Sequence, residues 1–135
     1  MLFPAVSPAV RALLAETLDT FEKLEIAIAL QRAPLHSLSI EELVRAIGNL
    51  ARDQIEHGVA ELVAAGVCSA TLRIVRLTPT PTDAPTYAAL VEQYDRDHAA
   101  IAQAISEVAM EKIRGMAART FAEAFHATRK RGDNE

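Results

Sequence analysis

Residues 71–77, TLRIVRL, form the only strongly β-prone run in the sequence, and this run limits what the chain can fold into. A lone strand is not stable in water, so the run needs a neighbouring strand. The short segment 67–69, with the sequence VCS, lies just before this run. The sequence therefore predicts a small β-hairpin with its tip near Ala70 and Thr71.

Two short helices are predicted immediately before this hairpin. Ser39 and Glu42 have the spacing of a capping box, in which each side chain bonds the other residue's backbone N–H. Gly48 can take the positive φ at which a short helix ends. A second amphipathic helix follows it, and Gly66 supplies the same kind of stop.

A third helix is predicted upstream of these two. Asp19 and Glu22 repeat the capping-box spacing, and the apolar residues of 21–30 follow the period of a helix. Pro34 ends this segment, because the residue before a proline is disfavoured in helical geometry. Three helices followed by a hairpin make a winged helix-turn-helix, within a chain that is mainly α.

Over residues 18–78 the sequence resembles the winged helix-turn-helix proteins of bacterial regulators. The phrase ELVAAGV at 61–67 resembles the end of their recognition helix and its turn into the wing. The segment MAARTFAEAFHATRK resembles the tail of small bacterial proteins with an N-terminal helix-turn-helix. The resemblance implies DNA binding by a homodimer that is held together by helices outside the wing.

The remaining sequence divides around this unit. Thr78–Pro85, TPTPTDAP, has the composition of a stiff linker, and the apolar pattern after it predicts a long helical extension. This extension either breaks near Gly115 and folds back or pairs with another copy. The predicted segments are an N-terminal helix in 1–18, the winged helix in 19–78, a linker in 79–85, a helical region in 86–130 and a frayed tail in 131–135.

An apolar stripe along the extension is predicted to form a dimer interface. Its members recur at helical spacing. A coiled coil needs a second apolar row beside the first, and that row is too polar here for an extended two-stranded coiled coil. The alternative is that the stripe covers the core of its own domain. The candidate interface residues are Tyr87, Leu90, Val91, Tyr94, Ile101, Ile105 and Val108.

Residues that could contact double-stranded DNA are few. The outward face of the predicted recognition helix carries Asp53 and Glu61, which phosphates would repel. The DNA-binding candidates are therefore Asn49, Arg52, Gln54 and His57 near that helix, with Arg73 and Arg76 on the wing. The alternative is a solvated helix face that is used for protein contacts.

The composition and the spacing of reactive residues limit which classes of function the chain can have. The net charge is −4, so any nucleic-acid binding needs a local basic patch. The histidines and Cys68 have no metal-ligand spacing, and no phosphate loop or nucleophile motif is present. We therefore expect no enzyme activity, no metal or other cofactor, no membrane span and a cytoplasmic location.

Three hypotheses follow from the sequence. The first is a DNA-binding transcriptional regulator that acts as a homodimer. The second is a winged helix that docks a basic protein partner through its acidic face and does not bind DNA. The third is a small-molecule sensor with a pocket between the C-terminal helices of two subunits, lined around Tyr87, Tyr94 and Ile101.

Overall fold

The computed structural model of the chain describes residues 6–133, with side chains described as far as residue 124. In this part of the chain the fold is mainly helical, with six α-helices and one three-stranded antiparallel sheet. The elements are α1 Pro8–Glu16, α2 Phe21–Arg32, a 3-10 turn Pro34–His36, β1 Ser37–Ser39, α3 Ile40–Ile47, α4 Arg52–Ala64, β2 Cys68–Thr71, β3 Ile74–Leu77, α5 Ala84–Arg96 and α6 His98–Asp133.

The local signals around α3 and α4 are confirmed. The Ser39 backbone N–H donates to Glu42 Oε1 at 3.0 Å, and the Glu42 N–H donates to Ser39 Oγ at 3.1 Å. Gly48 ends α3 with φ of 76°, and Gly66 follows α4 with φ of 79°. Both values lie in the left-handed region that glycine enters without a steric cost.

The start of α2 differs by one residue from the prediction. Thr20 is the N-cap, and its hydroxyl accepts a hydrogen bond from the Lys23 backbone N–H at 3.3 Å. The Asp19 carboxylate is bound instead by the Lys23 ammonium group at 2.8 Å. The predicted end is confirmed, because α2 stops at Arg32, two residues before Pro34.

The sheet contains the predicted hairpin and one strand that was not predicted. Its strand order is β1-β3-β2, so β3 is central and both neighbours run antiparallel to it. The hairpin tip lies at Leu72 and Arg73, two residues beyond the predicted tip, where φ is 50° and 70°. Asparagine and glycine favour such a turn, and neither is present here.

A single hydrophobic core joins the helices and the sheet. α5 packs against α1 and α2, and α6 packs against α1 and α5, so the C-terminal helices close over the N-terminal ones. α5 begins at Ala84, so the last two residues of the predicted linker belong to a helix. The largest fully buried side chains are Leu14, Leu18, Leu24, Ile26, Ile28, Leu30, Leu43, Ile55, Leu62, Tyr87, Leu90 and Ile101.

The helical extension breaks at Asp97, and a break near Gly115 was one of the two alternatives that the sequence left open. Asp97 leaves the helical region with φ of −154° and ψ of 87°. Its carboxylate then accepts a hydrogen bond from the Ala100 backbone N–H at 3.1 Å, as an N-cap does for α6. Gly115 lies inside α6, which continues through 36 residues to Asp133 and enters the segment predicted as a frayed tail.

Candidate functional site

The outward face of α4 is the region for which the sequence predicted DNA contacts. Ile55, Val59 and Leu62 are buried on the opposite side of the helix. Gly58 lies among them, at a point where α4 and α2 approach closely, and a Cβ atom built there would lie 2.6 Å from Ile26 Cδ1. This packing fixes which side of α4 faces solvent.

Arg52 is held by carboxylates of the chain itself. Its Nε donates to Glu56 Oε1 at 3.0 Å, and its Nη2 donates to Glu41 Oε1 at 3.3 Å. Hydrogen bonding to Glu56, together with both carboxylate charges, raises the pKa of Arg52. Arg73, at the hairpin tip, lies 4.0 Å from the same Glu41 oxygen. Two of the three arginines predicted to contact DNA therefore face Glu41.

Gln54 and His57 are also engaged within the chain. Gln54 Oε1 accepts a hydrogen bond from the Ala51 backbone N–H at 2.8 Å and so closes the start of α4. His57 Nε2 lies 2.6 Å from Glu61 Oε1, and Lys23 Nζ lies 2.7 Å from the other Glu61 oxygen. The hydrogen bond from Lys23 contributes most to lowering the pKa of Glu61.

The charge of this face is negative. We define the acidic face as Glu41, Asp53, Glu56 and Glu61 with the two arginines Arg52 and Arg73. Four carboxylates against the two guanidinium groups and the Lys23 ammonium group, which is bound to Glu61, leave a charge of −1. Asn49 is exposed beside it, in the turn between α3 and α4. The remaining exposed positions of α4 on this side include His57, whose ring lies beside Glu61, and the small residues Ala60 and Ala64.

Arg76 lies apart from the acidic face, on the outer surface of the sheet. It stands on β3 between Ser37 of β1 and Ser69 of β2. Its Nε donates to the Leu35 carbonyl oxygen at 3.4 Å. These residues border a shallow cavity of about 210 Å³ that is completed by Thr71 and Ile74. The two wing arginines therefore contact different parts of the chain.

The stripe predicted as a dimer interface is used by the core of the chain itself. Tyr87, Leu90, Ile101, Ile105 and Val108 are at most 2% exposed. This placement corrects the interface prediction, because these side chains are already covered within one copy.

The other two members of that stripe, Val91 and Tyr94, pack at its edge and are partly buried. The Tyr94 hydroxyl donates to Glu25 Oε1 at 3.0 Å, and burial raises the pKa of Tyr94 to about 12. The predicted ligand pocket around Tyr87, Tyr94 and Ile101 coincides with this packed region.

An apolar surface that the prediction did not single out as an interface lies further along α6. Met110, Ile113, Met116 and Phe121 are between 51% and 73% exposed. The sequence indicated that the apolar stripe continues here, shifted around the helix, but these residues were not assigned to an interface. The helical phase of residues 110–121 is the signal that could have identified this surface.

Reactive groups are scarce in the described part of the chain. Among residues 6–124, no three His, Cys, Asp or Glu side chains are grouped so that they could hold a metal ion. Cys68 is buried in β2, and burial raises the pKa of its thiol to about 12. A thiol with that pKa is a poor nucleophile near neutral pH.

None of the helices described here combines the length and the apolar character that a membrane span requires. No protein-family model, no curated protein and no solved structure matches this chain.

Proposed function

We propose that this chain is a protein-interaction module built on a winged helix-turn-helix, and that it docks a basic protein partner through its acidic face. The fold part of the proposal is supported by the order α2, β1, α3, α4, β2, β3 and by the central position of β3 in the sheet. In this arrangement α3 and α4 form the helix-turn-helix, α4 takes the place of the recognition helix, and β2 with β3 forms the wing.

The observation that carries the proposal is the pairing of Arg52. A protein that binds DNA needs arginine side chains that are available to phosphate oxygens or base edges. Here Glu41 and Glu56 already occupy Arg52, and Glu41 also faces Arg73. A duplex would have to displace these carboxylates and then lie against the excess negative charge. A partner that carries lysine or arginine gains from the same charge.

Site-specific photo-crosslinking in the native cell tests the interaction. A photoreactive residue at Ala60, in the middle of the exposed side of α4, should capture one defined protein, and the same residue at Ala118 on α6 should not. Glu56→Lys should abolish the capture. Glu92→Lys is the matched control, because Glu92 is also an exposed carboxylate paired with an arginine four residues away. Equal capture from both positions, or equal loss in both variants, contradicts the proposal.

DNA binding is the second candidate, and the wing is the observation that favours it. The Arg73 side chain is 79% exposed at the hairpin tip. Arg76 stands among hydroxyl groups on the sheet, and Asn49 is exposed in the turn between α3 and α4. Arginines on a wing can enter a minor groove or contact phosphates.

Fluorescence anisotropy with a labelled duplex at low salt separates the two candidates. The interaction proposal predicts no binding by the wild-type chain. Binding that weakens steeply with salt, and that disappears in Arg73→Ala with Arg76→Ala, would establish the DNA candidate and remove the first one.

A further inference from the structure

The outer face of the sheet carries a guanidinium group that has no carboxylate partner in the described part of the chain. This group belongs to Arg76, on the central strand β3. Arg52 and Arg73, by contrast, both face Glu41. An arginine without a carboxylate partner of its own can form charge-assisted hydrogen bonds with an anion from outside the chain.

Hydroxyl groups flank Arg76 on both neighbouring strands. Ser37 of β1 and Ser69 of β2 are its direct cross-strand partners, so both side chains share its face of the sheet. Thr71 lies on the same face, because it follows Ser69 by two residues along β2. Among the described residues, these three hydroxyl groups have no hydrogen-bond partner within the chain. They are therefore free to donate to a ligand.

The Arg76 side chain is anchored at its Nε atom and open at its terminal nitrogens. Nε donates to the Leu35 carbonyl oxygen at 3.4 Å. This contact leaves the four N–H groups of the two terminal nitrogens without a partner in the part of the chain that the structure describes. Two parallel N–H groups of a guanidinium match two oxygens of a phosphate group.

The cavity at these residues has a size that suits one phosphate group. We call Ser37, Ser69, Thr71, Ile74 and Arg76 the sheet site. The cavity that they border has a volume of about 210 Å³, below the roughly 300–1,000 Å³ of pockets that take a drug-sized molecule. A water molecule occupies about 30 Å³ in the liquid, so the cavity has room for a group of several atoms. A tetrahedral phosphate group can accept hydrogen bonds from the guanidinium and from hydroxyl groups on both sides of it.

One wall of the sheet site is apolar. Ile74 lies two residues before Arg76 on β3, opposite Thr71, and it is 45% exposed. The free phosphate ion has no apolar atom to place against it. In an organic phosphate monoester, the carbon atoms next to the phosphate would cover Ile74 and remove apolar surface from water. The lining therefore favours a monoester over the free ion.

We propose that the sheet site binds the phosphate group of a small organic phosphate monoester. Arg76 binds two of the phosphate oxygens, and the three flanking hydroxyl groups donate to the phosphate as well. Ile74 packs against the adjoining carbon atoms. The sheet site does not include any residue of the acidic face, so this binding does not rest on what α4 docks.

Titration of the full chain with phenyl phosphate, followed by nuclear magnetic resonance at constant ionic strength, tests the site. The backbone amide signals of Ser69, Ile74 and Arg76 should shift and reach saturation. Benzoate has the same ring with a carboxylate in place of the phosphate, and it should shift these signals much less.

Two arginine variants test the role of Arg76. Arg76→Ala should raise the dissociation constant of phenyl phosphate by at least about tenfold, because it removes the charge-assisted hydrogen bonds. Arg73→Ala is the matched control, since it removes the same charge from the same hairpin, and it should change the constant by less than about twofold in the presence of salt. The dispersion of the amide signals checks that each variant remains folded.

Two further variants separate the parts of the sheet site. Arg76→Lys keeps the charge but loses the two parallel N–H groups, so it should bind phenyl phosphate more weakly than the wild-type chain. Ile74→Ala should weaken the binding of phenyl phosphate and leave that of inorganic phosphate unchanged, because only the ester has carbon atoms to contact. Equal weakening of both ligands by Ile74→Ala would refute the preference for an ester.

Three other results would overturn the proposal. One is the absence of saturable shifts with phenyl phosphate, or an equal response to benzoate. Another is equal loss of binding in Arg76→Ala and Arg73→Ala, which would indicate general charge attraction. The third is a DNA duplex that shifts the same signals and that phenyl phosphate does not displace, which would assign the sheet site to a nucleic-acid backbone.

Discussion

Gly58→Ala should not stabilise the chain, although Gly58 lies inside a helix, where alanine is the better residue. In an open helix, Gly→Ala stabilises by about 1 kcal/mol. At this position the new Cβ would lie 2.6 Å from Ile26 Cδ1, and Ile26 is fully buried. Forcing extra atoms into a packed core costs about 1–3 kcal/mol. The sum ranges from no net change to a loss of about 2 kcal/mol.

A double-mutant cycle separates the two contributions. Ile26→Val removes the Cδ1 atom, and the next atom near the new Cβ is Glu22 Cβ at 3.6 Å, an ordinary contact. Gly58→Ala should then stabilise the Ile26→Val chain by about 1 kcal/mol, since only the helix-propensity gain remains. The coupling energy is therefore expected at about 1–3 kcal/mol.

Urea unfolding of the four chains, followed by circular dichroism, measures this coupling. All four proteins should share one m-value, which checks that the denatured state is unchanged. A coupling energy below about 0.5 kcal/mol would refute the reasoning, because it would show that α2 and α4 are not in contact at Gly58.

Three further predictions concern single positions. Gly115→Ala should increase the helicity measured by far-UV circular dichroism, because a Cβ there meets no atom within 4 Å; a loss would mean that the helix bends at Gly115. Burial raises the pKa of Asp19, but hydrogen bonds from Lys112 and Lys23 outweigh it and hold that pKa below its ordinary value. The stability that the ionised Asp19 carboxylate gives the folded chain should be fully present above its unfolded-state pKa of about 3.9 and should be lost as pH falls through the lowered pKa. Asp19→Asn should therefore remove this part of the acid dependence of the urea midpoint. Cys68 should react slowly with iodoacetamide at pH 8 until urea unfolds the chain, because burial raises its pKa to about 12; equal rates in both states would contradict its burial.

The elements that the sequence predicted well depend on local chemistry. Ser39 with Glu42, and then Gly48, specify the ends of a short helix through groups no more than a few residues apart. The β-prone run at 71–77 needed only the presence of a neighbouring strand. Such signals are carried by the segment itself and do not require knowledge of the rest of the fold.

The elements that were missed depend on distant partners or on backbone strain. β1 has the sequence Ser-Leu-Ser, which has little β propensity, and it forms a strand because β3 lies beside it. The hairpin turns at Leu72 and Arg73 in a conformation that neither side chain favours. The break at Asp97 was also missed, although the Asp97 side chain caps α6 through a local hydrogen bond.

The sequence predicted which charged residues lie on the candidate site, but it did not predict which of them form ion pairs. The sequence placed Asp53 and Glu61 on the exposed side of α4, where the structure has them. It could not reveal that Glu41, from another helix, binds Arg52 and faces Arg73. Those contacts depend on how α3, α4 and the hairpin meet in space.

The length of α6 gives this small protein an extended outline. A compact chain of 135 residues has a radius of gyration of about 14 Å, and a sphere with that value is about 36 Å across. The 36 residues of α6 alone span about 54 Å. Small-angle scattering from one copy should therefore contain pair distances that no globule of this mass can have. In gel filtration one copy should elute ahead of its mass, so elution volume alone would mistake a monomer for a dimer.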